Sequence, residues 1–245
     1  MTSPRSLDPC ALPDLRHLQR LTDEFGIFQH TAEDRPRLEF GYAIDDVARA
    51  LIVVTETTRL FPDDDTIVAR SEERVRSLRA LADLYLRFIE FCQRPDGRFH
   101  NFVAHDRTFQ DVEGSLDSYG RTLWSLGVVW RSGSTELRDR AGSMLRSALS
   151  HVHTLPFVRS KAFTLLGLLS VLTTDDPLGV SAHVLHVTKD LLHAYADAAS
   201  DDWPWFEDTL RYSNGALPYA LLRVAKHAEV RLVNGKDIAE SAREI

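Results

Sequence analysis

The stretch that decides the fold is "SLDSYGRTLWSLGVVW", residues 115–130, read together with "TELRDRAGSMLRSALSHV", residues 135–152. The first is apolar on nearly every side of a helix. The second carries one strongly charged face. A helix apolar all round is buried, whereas one with a polar face lies at the surface. The short link "RSGS" therefore joins an inner helix to an outer one. The same contrast recurs along the chain. "DDVARALIVVTETTRLF" (Asp45–Phe61) places Val47, Ala48, Leu51 and Val54 on one stripe at helical spacing. "SEERVRSLRALADLYLRFIEFCQ" (Ser71–Gln93) opens on Ser71 and acids, a favourable helix start. "VRSKAFTLLGLLSVL" (Val158–Leu172) is apolar all round, and "GVSAHVLHVTKDLLHAYADAA" (Gly179–Ala199) has a weaker polar face.

In chain order the helices alternate. Pro13–Glu24, Ser71–Gln93, Thr135–Val152 and Gly179–Ala199 read as outer; Asp45–Phe61, Ser115–Trp130, Val158–Leu172 and Asn214–His227 read as inner. No run of strand-like alternation exceeds a few residues. The expectation is an all-α chain forming a single domain over residues 1–245. Strict alternation suggests helical hairpins stacked around a central axis, an α/α toroid, with an irregular helical bundle as the alternative.

Composition narrows the function. The chain has 245 residues, is 44% hydrophobic, and carries 36 acids against 29 Lys plus Arg, a formal net charge of -7. Such a chain does not attract phosphate backbones by its net field, so no nucleic-acid partner is expected. No apolar run reaches the roughly 20 residues of a membrane helix, so no membrane role is expected. The N-terminal "MTSPRSLDPCALPDL" has no apolar core of a signal peptide. Cys10 and Cys92 make no CxxC pair. A reduced, cytoplasmic location is the expectation.

The loops alternate as well. Those entering inner helices are long and rich in polar and aromatic residues: "GIFQHTAEDRPRLEFGYAI", "RPDGRFHNFVAHDRTFQDVEG" and "DDWPWFEDTLRYS". Long polar loops are unusual without a use. Stacked hairpins would open all of them at one end. An internal echo marks the same places. "DDVARAL" (Asp45–Leu51) and "DSYGRTL" (Asp117–Leu123) share D-x-x-[AG]-R-[AT]-L, and "YSNGALP" (Tyr212–Pro218) is a degenerate third copy with Ala216 in place of Arg. Acids at a helix start are favoured by the unpaired N–H groups and the positive dipole end, and an Arg four residues on can pair with them. Asp45, Asp46 and Asp117 are therefore either simple caps or part of a site.

Taken together, "LTDEFGIFQH" (Leu21–His30), "GYAIDDVARAL" (Gly41–Leu51), "GRFHNF" (Gly97–Phe102), "EGSLDSYGRTLWSLG" (Glu113–Gly127), "RSKAFTLLGL" (Arg159–Leu168) and "WPWFEDTLRYSNGALPYALL" resemble a family of bacterial helical-toroid domains found with, or fused to, glycosyltransferases. That family is related in fold to six-hairpin glycosidases. The resemblance implies an (α/α)6 toroid and a carbohydrate role, with a glycosyltransferase as a possible partner; the alternatives to a glycoside hydrolase-like domain are a non-catalytic sugar-binding accessory of a glycosyltransferase and a protein-interaction scaffold. The chain departs from the family pattern at Val47, Leu116, Arg211, Ser213, Gly215 and Ala216. The positions of Leu116 and Ser213 lack the expected carboxylates. Four inner helices are also fewer than six. "DIAESAREI" reads as the start of another helix, so the chain is a fragment, or the ring is open, or a partner or second copy completes it.

The candidate chemistry follows. Glycoside hydrolysis needs two carboxylates across the bond, one of them kept protonated by an apolar or like-charge setting. Glu207, flanked by Trp203, Trp205 and Phe206, is the first candidate for the acid, with Asp46 or Asp117 as its partner. Trp203, Trp205 and Tyr212 offer faces for sugar rings. His30, Asp45, Arg49, His100, Asn101, Arg121 and Arg159 are candidates to bond hydroxyls. The alternatives are a hydrophobic lid for the tryptophans and a satisfied turn for His100 and Asn101. GxSxG, HExxH and Gly-rich phosphate loops are absent from the sequence. His183, His186, Asp190 and His193 share a face of an outer helix, read as solvated rather than metal-binding, and His151 and His153 sit at a helix end. No metal or cofactor is assigned.

Overall fold

The computed structural model describes residues 13–61 and 69–227, with backbone alone for 69–71. Cys10, the Ser71 side chain and the terminal "DIAESAREI" lie outside the described residues. The class is all-α. The elements are α1 (Arg16–Arg20), α2 (Ile44–Arg59), α3 (Ala69–Cys92), α4 (Leu116–Ser132), α5 (Thr135–Ala148), a 3₁₀ turn (Leu149–Thr154), α6 (Val158–Val171), α7 (Ser181–Ala198) and α8 (Ala216–Lys226). Strand structure among the described residues is confined to two antiparallel pairs of two-residue strands. These are β1 (Thr31–Ala32) with β2 (Arg35–Pro36), and β3 (Tyr42–Ala43) with β4 (Phe102–Val103).

Packing sorts the helices into two layers. α4 packs along α6, α2 packs on α4, and α8 packs on α6, so α2, α4, α6 and α8 make a continuous row. α3 covers α2, α5 covers α4 and α7 covers α6. The central pair explains why α4 and α6 read as apolar all round. Arg159, Ser160 and every residue of Ala162–Leu169 are buried in α6, and α4 is enclosed from Ser118 to Leu123 and from Ser125 to Val129. Each fully buried Leu or Phe there contributes roughly 1.5–3 kcal/mol. By contrast α5 buries one stripe, Leu137, Ala141, Met144, Leu145 and Ala148, and leaves its charges outside.

Two glycines set the α4–α6 distance. A Cβ on Gly127 would stand 2.2 Å from the carbonyl oxygen of Gly167, and one on Gly167 would stand 2.4 Å from that of Leu123. Both obstacles are backbone, which cannot swing aside. The two helices therefore touch main chain to main chain, and only glycine permits it.

Two helices differ from the sequence expectation. Pro13–Glu24 is not one outer helix: α1 spans Arg16–Arg20 and has no buried residue. The chain turns immediately after it, because Asp23 Oδ1 accepts from the N–H groups of Phe25 and Gly26 at 2.9 Å and its Oδ2 accepts from the Tyr42 hydroxyl at 2.5 Å. α8 is not enclosed all round either. Leu217, Ala220, Leu221, Val224 and Ala225 are buried, while Tyr219 and Leu222 are exposed on the other side. It ends the row among the described residues, so one flank has no neighbouring inner helix.

Candidate functional site

The starts of the four inner helices meet at one end of the row. The capping of two of them decides how their acids are read. At α2 the Ile44 N–H donates to the Asn101 carbonyl at 2.9 Å, and Ala43 supplies no side-chain cap. At α4 the cap is Ser115, whose Oγ accepts from the Ser118 N–H at 3.1 Å. Asp45, Asp46 and Asp117 therefore sit in first turns without capping them.

Each acid instead engages the arginine one turn on. Arg49 Nη2 reaches Asp45 Oδ2 at 3.0 Å and also bonds Asp46 Oδ1. Arg121, itself buried, donates from Nε to Asp117 Oδ2 at 3.1 Å and from Nη2 to Ser213 Oγ at 3.4 Å. Its guanidinium lies over Phe163, 4.2 Å from the ring centre. That cation is held in place from beneath by an aromatic face.

Arg159, in the first turn of α6, is the hub. Its side chain is 5% exposed. Nη1 contacts Glu207 at 2.7 Å from Oε1 and 2.5 Å from Oε2, and the approach to Oε1 has hydrogen-bond geometry. Nη2 donates to Asn214 Oδ1 at 3.0 Å and Nε to the Tyr212 carbonyl at 2.5 Å. The guanidinium also lies 4.8 Å from the centre of the Tyr212 ring. One buried cation thus pins the loop 199–215 at three points.

The two halves are joined through Tyr212 and Arg121. Burial, then the Asp117 charge and the hydrogen bond to that carboxylate, push the Tyr212 phenol up, against the pull of Arg159 and Arg121. Asp46 is the carboxyl at this end whose pKa the surroundings raise. Burial, then the charge of Asp45, push its pKa above the ordinary value, opposed by Arg49, His30 and Arg121. Asp117 and Glu207 are therefore linked through Tyr212, Arg121 and Arg159, and Asp46, bonded to Arg49, lies within the field of Arg121. Around them stand exposed apolar groups: Trp203, Tyr212 (54% exposed), Phe157, Leu210 and Phe40.

Several candidates occupy different settings from those expected. Glu207 is not in an apolar pocket suited to a proton-bearing acid; it is the partner of the buried Arg159. Trp205 turns inward, edge-on to Phe206 at 5.6 Å, and packs against the core rather than presenting a face. Trp203 stays exposed at the surface and donates its Nε1–H to the Glu207 carbonyl at 2.7 Å. His100 and Asn101 belong to a loop clamp. His100 Nδ1 lies 3.0 Å from both the carbonyl and Oδ1 of Asp111, its ring stacks on Phe109 at 3.9 Å, and Asp111 Oδ2 accepts from the N–H groups of Asn101 and Phe102 at 2.7 and 2.8 Å. The Asn101 Oδ1 is buried without a partner. His30 is exposed, edge-on to Phe40 at 4.7 Å, within the field of Asp46.

Sequence reading missed Asp111, Phe163, Ser213 and Asn214 as supporting residues. Asn214 alone had a usable signal, an Asn just before a helix, where it bonds backbone locally. Its side chain bridges the Arg211 backbone and Arg159. Among the described residues no group of three His, Cys, Asp or Glu is arranged to hold a metal ion. No described helix is long and apolar enough to cross a membrane. A cavity of about 820 Å³ lies at the far end of the inner helices, lined by Thr58, Arg59, Arg76, Ser132 and Glu136, away from these carboxylates. No protein-family model matches the chain, and no curated protein sequence matches it.

Proposed function

We propose that the gathered starts of α2, α4, α6 and α8 form a carbohydrate-binding rim on an α/α-toroid-like domain, and that its ligand is an uncharged oligosaccharide. The observation that carries this reading is the bonded linkage of Asp117 and Glu207 through Tyr212, Arg121 and Arg159, with Asp46 within the field of Arg121, beside exposed Tyr212, Trp203 and Phe157. Sugar rings bring an apolar face and several hydroxyls. Flanking aromatics and fixed donors and acceptors suit both. Each rim arginine already faces a carboxylate: Arg49 with Asp45 and Asp46, Arg121 with Asp117, Arg159 with Glu207. The loop 199–215 adds Asp201, Asp202 and Asp208 against one further cation, Arg211. That balance disfavours phosphorylated or uronic sugars.

Hydrolysis is the second reading, and Asp46 favours it. A carboxyl whose pKa is raised by burial and a neighbouring like charge has the tuning a general acid needs. In that case Asp46 donates the proton to the leaving oxygen and Asp117 is the opposing carboxylate. A non-catalytic domain serving a glycosyltransferase, or completed by a second copy, uses the same rim for binding alone. A screen of neutral oligosaccharides for binding and for release of reducing ends separates these. Loss of turnover with retained affinity in Asp46→Asn supports hydrolysis. Binding without turnover in the native protein supports the accessory role. No binding of any sugar by folded protein removes both.

A further inference from the structure

Where the 3₁₀ turn after α5 packs on α7, three imidazoles meet. His153, from the 3₁₀ turn after α5, stands between two histidines of α7. Its ring centre is 4.5 Å from that of His183, at an interplanar angle of 39°, and 4.4 Å from that of His186, at 56°. This is a wedge: one ring is inserted between two others, which does not direct three nitrogens at one ion. Its chemistry is that of contact between neutral rings, and it changes when they take up protons.

We propose that His153, His183 and His186 form a pH-sensitive clamp that fastens the 3₁₀ turn to α7 and slackens in mild acid. Neutral imidazoles pack as aromatic surfaces. Imidazolium neighbours at about 4.5 Å repel, and histidine is the side chain whose ordinary pKa, about 6.5, places that change near neutrality. Little nearby neutralises the added charge. Asp190 lies 3.6 Å from His186 Nε2 but is already bonded at 2.7 Å by Lys161 of α6. Asp176, in the loop before α7, attracts a proton towards His183 but is spent on the N–H groups of Val180 and Ser181 at 2.7 and 3.0 Å. His151, on the same 3₁₀ turn, is directed away to the Asp96 carbonyl at 2.7 Å, and Lys189 is exposed. His183 Nδ1 is buried without a partner. Burial first, then His153 and His186, lower the His183 pKa, so its neutral form is the one the fold accommodates. The folded state therefore binds fewer protons than the unfolded chain as pH falls through the histidine range, and this contact weakens there.

Hydrogen exchange of α7, followed by mass spectrometry and corrected for intrinsic rates, tests the clamp. In the native protein, protection over residues 181–191 falls severalfold between pH 7.5 and 5.5. In His153→Gln, which removes the wedge's charge but keeps a polar side chain of similar length, the loss on acidification is smaller, the remainder coming from the burial of His183 and from His186. Equal losses in both proteins, or no loss in the native one, overturn the proposal. Proton NMR gives an independent reading. The His183 imidazole titrates below its ordinary value in the native protein and moves back towards it in His153→Gln, whereas titration of His183 at the ordinary value in the native protein overturns the proposal.

Discussion

Replacing Arg159 by Met is the sharpest structural perturbation. The side chain is almost wholly buried, and Met fills similar space without charge. Three bonds disappear: to Glu207, to Asn214 Oδ1 and to the Tyr212 carbonyl. Removing one member of a buried ion pair costs about 3–5 kcal/mol, because the other charge is stranded. Glu207 is 22% exposed, so water recovers part of that. The expected loss is about 3 kcal/mol, or a Tm decrease of roughly 6–12 °C for a chain of this size. Urea unfolding followed by far-UV circular dichroism measures it. Tryptophan emission, to which Trp203 and Trp205 of the loop contribute beside Trp124 and Trp130 of α4, gives a second probe of the same transition. A cycle with Glu207→Gln isolates the pair. Because Glu207→Gln removes the stranded charge, the double variant is more stable than Arg159→Met alone, with a coupling of about 1–3 kcal/mol. A loss below about 1 kcal/mol, or additive effects in the cycle, refutes the view that Arg159 anchors the rim.

Gly127→Ala tests the α4–α6 contact. Alanine gains about 1 kcal/mol of helix propensity but meets the Gly167 carbonyl, so stability falls by about 2 kcal/mol net in a urea melt. Gly215→Ala, where no atom lies within 4 Å of the new methyl, serves as the neutral control. Asp46→Asn tests the raised pKa of that carboxyl. A folded-state pKa raised above 3.8 means the folded chain holds a proton the unfolded one has released, so native stability declines as pH rises from 3.8 through the raised value and is level above it. The Asn variant loses that decline, measured as unfolding free energy across a pH series.

How much of this was legible beforehand follows from where each interaction is made. α4 and α6 were readable because enclosure on all sides leaves no polar face, and α5 and α7 because their charges are confined to one. The Asp45–Arg49 and Asp117–Arg121 pairs were readable because partners one turn apart are fixed by helix geometry. α1 was not, since Leu15 and Leu18 only partly bury and the turn after it depends on Asp23 meeting a distant Tyr42. Glu207 was misjudged for the same kind of reason. Its aromatic neighbours in sequence suggested an apolar pocket, but Trp205 and Phe206 turn to the core, and the space is taken by Arg159 from another helix. Local composition showed that the loop before α8 matters. It did not show which buried cation holds it.

The claim that the rim is the binding surface is tested most directly by mapping a bound neutral oligosaccharide on side-chain nitrogen resonances. The account predicts that the Nε signals of Arg121 and Arg159 and the indole signal of Trp203 move on titration, while those of Arg59 and Arg76, beside the cavity at the other end of the inner helices, stay still. Shifts confined to Arg59 and Arg76 would contradict it.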